Sequence, residues 1–236
     1  MTKPVAIISG GNGLIGSAIA QRLQNENYQV VIFSRTGVDK HIPGVTPFRC
    51  DITNANEVEE MLEKIETTIG PIVIGIHCAQ TPIVRKKITQ IDLGIFRAQF
   101  ETSVFGGFLF FRTLAERMSL RKNGVLIGIT SSVLDEEKIE GGFGGYISSK
   151  YALRGFIKEL AYAVRGNGVR IYDVAPGFIV GGLNGDLPER MGELIKQKHN
   201  VESLTSEDDV AKVVVGLCGD ETMRDQLVHV VDTTRK

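Results

Sequence analysis

Short apolar runs without internal polar alternation punctuate this chain. They are Val5 to Ser9 (VAIIS), Gln29 to Ser34 (QVVIFS), Phe48 to Asp51, Ile72 to Cys78 (IVIGIHC), Val125 to Thr130 (VLIGIT), Val169 to Ala175 (VRIYDVA) and Leu227 to Val231. A strand wetted on one face alternates, whereas a strand buried on both faces does not. Between the runs lie amphipathic stretches of helical length: Leu14 to Asn25, Asn54 to Thr68, Asp92 to roughly Arg121, Tyr146 to Arg165 and Ser206 to Cys218. Asn54 and Ser206 stand where an N-cap belongs, and Glu207-Asp208-Asp209 put negative charge in a first helical turn. Strands separated by helices predict an α/β fold, a doubly wound parallel sheet of about seven strands with helices on both faces.

The sequence of 236 residues shows no linker, repeat or break in composition, so a single domain spanning 1–236 is expected. Within it, Gly181 to Leu204 has no strand partner. Residues 181–205 are expected to form a substrate-covering loop and short helix, carrying Asp186, Glu189, Arg190 and Lys196.

A net charge of −1 leaves no electrostatic footprint for nucleic acid or an anionic membrane. The basic run Arg85-Lys86-Lys87 reads as a solvated loop, with a minor part in holding an anionic substrate left open. No stretch of 18 apolar residues suggests a membrane span, and the apolar part of MTKPVAIISGG is too short for a signal peptide. Cys50, Cys78 and Cys218 are odd in number and widely spaced. That argues against a disulfide framework and a zinc site, and a reducing, cytoplasmic location is expected.

In doubly wound sheets ligands sit beyond the carboxyl ends of the strands. After the first run comes SGGNGLIG, with Gly10, Gly11, Gly13 and Gly16. Such a turn lets backbone N–H groups approach a pyrophosphate at the positive end of a helix, as in Rossmann-like dinucleotide folds. Arg35 follows the second run, where an acidic residue would bind the ribose of NAD; a guanidinium there suits a 2′-phosphate and favours NADP(H). Asp51 follows the third run and either accepts from an adenine amino group or starts the turn into the next helix. His77 reads as a hydrogen-bonded core residue rather than an acid or base. After the fifth run come Thr130, Ser131 and Ser132, and after the sixth come Pro176 and Gly177.

Of the five tyrosines only Tyr146 has a lysine four residues on, Lys150, which puts the two on one helical face. Glycine-rich turn, serine, Tyr146-x-x-x-Lys150 and Pro176-Gly177, in this order, resemble the short-chain dehydrogenase/reductase family. The resemblance runs from Val5 to Asp232 and is nearest to its compact branch, which includes the 3-oxoacyl-carrier-protein reductases and ketoreductases.

The resemblance implies that Tyr146 is the general acid in reduction and base in oxidation, and that Lys150 lowers its pKa and holds the nicotinamide ribose. It implies that Ser132 orients the substrate oxygen and that Ser103 occupies the fourth catalytic position. It implies a cofactor cradle of Gly10, Asn12, Gly13, Leu14, Ile15, Gly16, Ser34, Arg35, Asp51, Ile52, Ala79, Lys150, Pro176, Gly177 and Ile179. The expected cofactor is NADP(H), with NAD(H) possible, and no metal is expected. The substrate is a small carbonyl compound or an acyl thioester, and the assembly a homodimer or homotetramer.

The sequence also departs from the family pattern. Leu14 stands where the compact branch has its middle glycine, Gln80 replaces a glycine, Ser103 replaces an asparagine, and Gly181 stands in place of a threonine. These departures keep a second reading open, a catalytically weak NADP(H)-binding sensor on the same scaffold. A nucleotide-sugar epimerase or dehydratase is suggested only by the spacing Gly10-x-x-Gly13-x-x-Gly16, and the short region after Gly181 leaves little room for it.

Overall fold

The unalternating runs pair as a parallel sheet in the computed structural model, which describes residues 3–37, 41–136, 141–185, 187–188, 190–199, 201–220 and 227–231. Asp186, Glu189 and Asp232 lie outside the described residues. Six strands are described with their side chains: β1 (Val5–Ser9), β2 (Gln29–Ser34), β3 (Val45–Arg49), β4 (Ile72–His77), β5 (Gly124–Ile129) and β6 (Val169–Pro176). β7 (Leu227–Val231), described by its backbone alone, pairs with β6 at the edge. The spatial order is β3-β2-β1-β4-β5-β6-β7. The chain therefore winds outward from β1 in one direction and then from β4 in the other. A crevice opens between the carboxyl ends of β1 and β4, where the winding reverses.

Strand residues face the two sheet surfaces in turn. Val5 and Ile7 join a core with Val58, Leu62, Phe110 and Leu153, while Ala6 and Ile8 join one with Ile19, Leu23, Val210 and Val214. The first layer is built from α2 (Ala55–Thr68), α4 (Gly106–Arg121) and α5 (Gly144–Ala163), the second from α1 (Leu14–Asn25) and α7 (Glu207–Gly219). Phe110, Phe111 and Leu114 have no exposed surface; each contributes about 1.5–3 kcal/mol by leaving water. The caps form as the sequence suggests. Asn54 accepts from the N–H groups of Asn56 and Glu57, and Ser206 and Asp209 make a reciprocal capping box.

Two elements differ from expectation. β3 runs Val45–Arg49 rather than Phe48 to Asp51. Pro47, which speaks against a strand, is tolerated because β3 is the sheet edge. The long helix expected from Asp92 is interrupted. α3 (Leu93–Phe100), capped by Asp92, passes into a π-helical turn at Glu101–Phe105 before α4 begins. α6 (Arg190–His199) lies in the segment after β6.

Candidate active site

Gly10 ends β1 at φ +70°, and a Cβ there would stand 2.7 Å from the backbone N and Cα of Ala79. Glycine alone lets the turns after β1 and β4 approach this closely. Gly13 N-caps α1 and donates to the Gly10 carbonyl at 3.0 Å. Gly16 packs so tightly over that carbonyl that a side chain would collide with it. The first-turn N–H groups of α1 have no intrahelical partner, and Leu14, Ile15 and Gly16 of that turn line a cavity of ≈ 270 Å³. Pro176, Gly177 and Ile179, at and just after the end of β6, also line it.

The remaining expected cofactor residues fall into three groups. Asn12 holds the turn after β2, donating to Ser34 Oγ at 2.9 Å and to the Gly37 carbonyl at 2.8 Å. Arg35 is exposed on that turn, and its carbonyl accepts from Arg49 Nε at 3.2 Å. This places a second cationic side chain, unanticipated from sequence, against the backbone of that turn. Asp51 Oδ1 accepts from both the N–H and hydroxyl of Thr53, which fits the turn-starting reading. Ile52 is buried in the core, its side chain close to Gly106.

Tyr146 and Ser131 line the same cavity. Ser131 is near enough to the Tyr146 phenol to favour its charged form, and its Oγ accepts from the Val133 N–H at 3.4 Å. Ser132, the expected partner, is 9% exposed and does not line the cavity. The physical reason is strand alternation. Thr130 continues the β5 ladder through its N–H to the Val174 carbonyl and turns its hydroxyl to Asp173, so the next side chain, Ser131, points the other way. The doublet Ser131-Ser132 was the signal in sequence, but spacing to Tyr146 did not choose between its members.

Burial raises the Tyr146 pKa, and Ser131 opposes that rise. Lys150 is 4% exposed and its pKa is depressed by burial to about 8. Its ammonium donates to the Ile129 carbonyl at 2.8 Å and lies 5.7 Å from the centre of the Tyr146 ring. The ammonium is thus anchored to a backbone carbonyl with the Tyr146 ring beside it.

His77 is a core residue, 1% exposed. Its Nε2 lies 3.0 Å from the Ser103 carbonyl and its Nδ1 2.7 Å from Ser9 Oγ. A carbonyl only accepts, so Nε2 carries the proton, Nδ1 accepts, and Ser9 donates. The π-turn thus offers the Ser103 carbonyl to His77. Ser103 itself is fully buried and off the cavity wall, and its Oγ has no partner among the described residues.

Burial and then the Lys150 charge depress the His77 pKa to about 3. The unfolded chain, titrating near 6.5, therefore binds a proton that the folded chain refuses. The neutral imidazole's contribution is fully present above that unfolded value and is lost as pH falls toward 3. The slope is at most about 1.4 kcal/mol per pH unit. Unfolding free energies from urea titrations at stepped pH should fall less steeply below pH ~6 in His77→Asn than in the parent. Parallel curves would show that other groups set the acid limit.

Behind Ser131, Arg154 donates through Nε to Asp173 at 2.6 Å and through its other nitrogens to Asp135 at 2.7 and 3.2 Å. One terminal nitrogen also reaches the Ser131 carbonyl at 3.5 Å. This cluster ties α5 to the turn that carries the serines, and nothing in the sequence reading anticipated it. The three cysteines are free, and burial pushes each thiol up to about 12, which keeps them protonated. Among the described residues no group of three His, Cys, Asp or Glu could hold a metal, and no helix is long and apolar enough to cross a membrane.

A parallel sheet with a glycine turn at its switch point and a Tyr-x-x-x-Lys helix facing a serine defines a dinucleotide-type oxidoreductase scaffold. The family model described as enoyl-(acyl carrier protein) reductase matches residues 12–229. The chain belongs to the short-chain dehydrogenase/reductase family of oxidoreductases. It is 28% identical over 230 residues to (+)-borneol dehydrogenase 1 of Salvia officinalis, covering 92% of this chain and 87% of that one. It is 28% identical over 243 residues to the 3-oxoacyl-[acyl-carrier-protein] reductase FabG of Rickettsia typhi, with 97% and 95% covered. In fold it matches the structure of ElxO with NADP bound at a TM-score of 0.87 and 24% identity, covering 98% of each chain. An actinorhodin polyketide ketoreductase variant with NADPH matches at a TM-score of 0.85 and 20% identity, again covering 98% of each.

Proposed function

We propose that this chain is an NADP(H)-dependent reductase that interconverts a carbonyl compound, a ketone or a 3-oxoacyl thioester, and a secondary alcohol. The observation that carries this reading is that Tyr146 and Ser131 line the same cavity as the glycine turn and the N-terminus of α1. The residues present fit a dinucleotide. Gly10 and Gly16 leave no room for side chains beneath it, α1 offers free N–H donors to a pyrophosphate, and Arg35 and Arg49 stand where a 2′-phosphate would lie. NAD(H) would lose that last contact and remains the weaker cofactor in this reading. Bound there, the nicotinamide supplies or takes up a hydride.

The protein's own part is proton transfer and orientation. Tyr146, neutral because burial raises its pKa, is a phenol ready to donate. Ser131 fixes a substrate oxygen against it. Lys150 keeps a buried ammonium at the same face, with donors left for a ribose hydroxyl beyond the one given to Ile129. Residues 181–205 cover the substrate; Gly181 to Asn184 already form part of the cavity wall, and Arg85 holds Asn184 at 2.8 Å. The protein works in the cytoplasm as a homodimer or homotetramer. Exposed Phe105, Phe108 and Tyr151 on the α4 and α5 side supply the apolar surface for such an interface.

The test is oxidation of NADPH with a panel of ketones and 3-oxoacyl thioesters, comparing Ser131→Ala with Ser132→Ala. Ser131→Ala should lower kcat/KM by about a hundredfold, the effect of losing one hydroxyl that holds a reacting oxygen. Ser132→Ala should stay within a few-fold of the parent. The opposite ranking would return the catalytic role to Ser132. Tight NADPH binding with no turnover on any compound would instead favour the sensor.

A further inference from the structure

Three side-chain and backbone groups beside the β4 turn form a chain whose polarity is fixed at one end. The Pro82 carbonyl accepts from Gln99 Nε2 at 2.7 Å, and Gln99 Oε1 accepts from Gln80 Nε2 at 2.6 Å. Neither amide can flip. A carbonyl has no proton to give, so Gln99 must present its NH₂ to Pro82, and its oxygen then demands the NH₂ of Gln80. Gln99 is 3% exposed, which holds the arrangement in place. The chain therefore ends on Gln80 Oε1. This oxygen is buried and without a hydrogen-bond partner among the described residues, on a residue that lines the cavity.

A buried acceptor left unmade is costly, so this one calls for a donor. We infer that Gln80 is a ligand-binding residue whose Oε1 accepts from a ribose hydroxyl of the dinucleotide, one present in both NADPH and NADH. The inference rests on the dinucleotide reading of the cleft. Gln80 follows Ala79, whose backbone touches Gly10 in the turn that faces the pyrophosphate. Phosphate oxygens only accept and cannot satisfy it. The riboses flank the pyrophosphate and are the nearest groups of the dinucleotide that carry O–H donors.

The experiment measures Kd for NADPH and for NADH by cofactor fluorescence, with the melting temperature of each unliganded protein as a fold control. Gln80→Met removes the acceptor at similar bulk, and Gln80→Gly removes it with the whole side chain. Both should weaken NADPH and NADH by a common factor of about five to ten. A Kd within twofold of the parent in a folded variant overturns the assignment, also when KM for the carbonyl substrate rises, since the donor would then belong to the substrate. A loss confined to NADPH overturns it as well, by pointing to the 2′-phosphate. If the parent binds neither cofactor, the dinucleotide reading itself fails, an outcome distinct from failure in the variants alone.

Discussion

Tyr146→Phe should lower kcat by about 10²- to 10⁴-fold while NADPH binds within about twofold of the parent. The substitution keeps the ring that lies under the Lys150 ammonium and removes only the O–H. Because Lys150 is anchored on the Ile129 carbonyl rather than on the phenol, its position should survive the change. The measurement pairs single-turnover NADPH oxidation with fluorescence titration of the cofactor. Retention of more than about a tenth of the parent rate would show that the proton comes from elsewhere. Loss of cofactor binding together with turnover would make Tyr146 structural.

Arg154→Leu should be the most destabilising single change at this end of the sheet, by about 3–5 kcal/mol. The guanidinium is 9% exposed and is shared between Asp173, at 3%, and Asp135, at 30%. Burial raises the Asp173 pKa, and the Thr130 hydroxyl and the Arg154 charge oppose that rise. Removing the cation strands a buried carboxylate. Urea titration should show a much lower midpoint at an unchanged slope. The double change Arg154→Leu with Asp173→Asn should recover part of the loss, because the stranded charge goes too. A single change costing less than about 1 kcal/mol would place the cluster in solvent. Turnover should fall as well, since the Ser131 carbonyl is one of the groups Arg154 reaches.

The sequence made the sheet and its switch point legible because strands buried on both faces leave a strong signal. β3 was misplaced for the same reason in reverse. Its burial is only partial, and Pro47 disguises it, which an edge strand tolerates. Gly10, Gly13, Tyr146 and Lys150 were visible because their spacing is set by local turns and a helix. Ser131 was not separable from Ser132, since the choice depends on how far the β5 ladder runs before the chain leaves it. The amide chain from Pro82 to Gln80 joins a loop to a helix, and the Arg154 cluster joins three segments. Contacts of that kind are decided by tertiary packing and have no period to read.

The close seating of α4 on β4 links two distant positions as a single unit of variation. A Cβ at Gly107 would come within 3.0 Å of His77 Nε2 and 3.2 Å of Leu153 Cδ1. Any larger residue at 107 must therefore displace the imidazole that spans Ser9 and Ser103. Libraries built on this scaffold should vary 77 and 107 jointly, because a lineage that enlarges one without trimming the other must first pass through a misfitted intermediate.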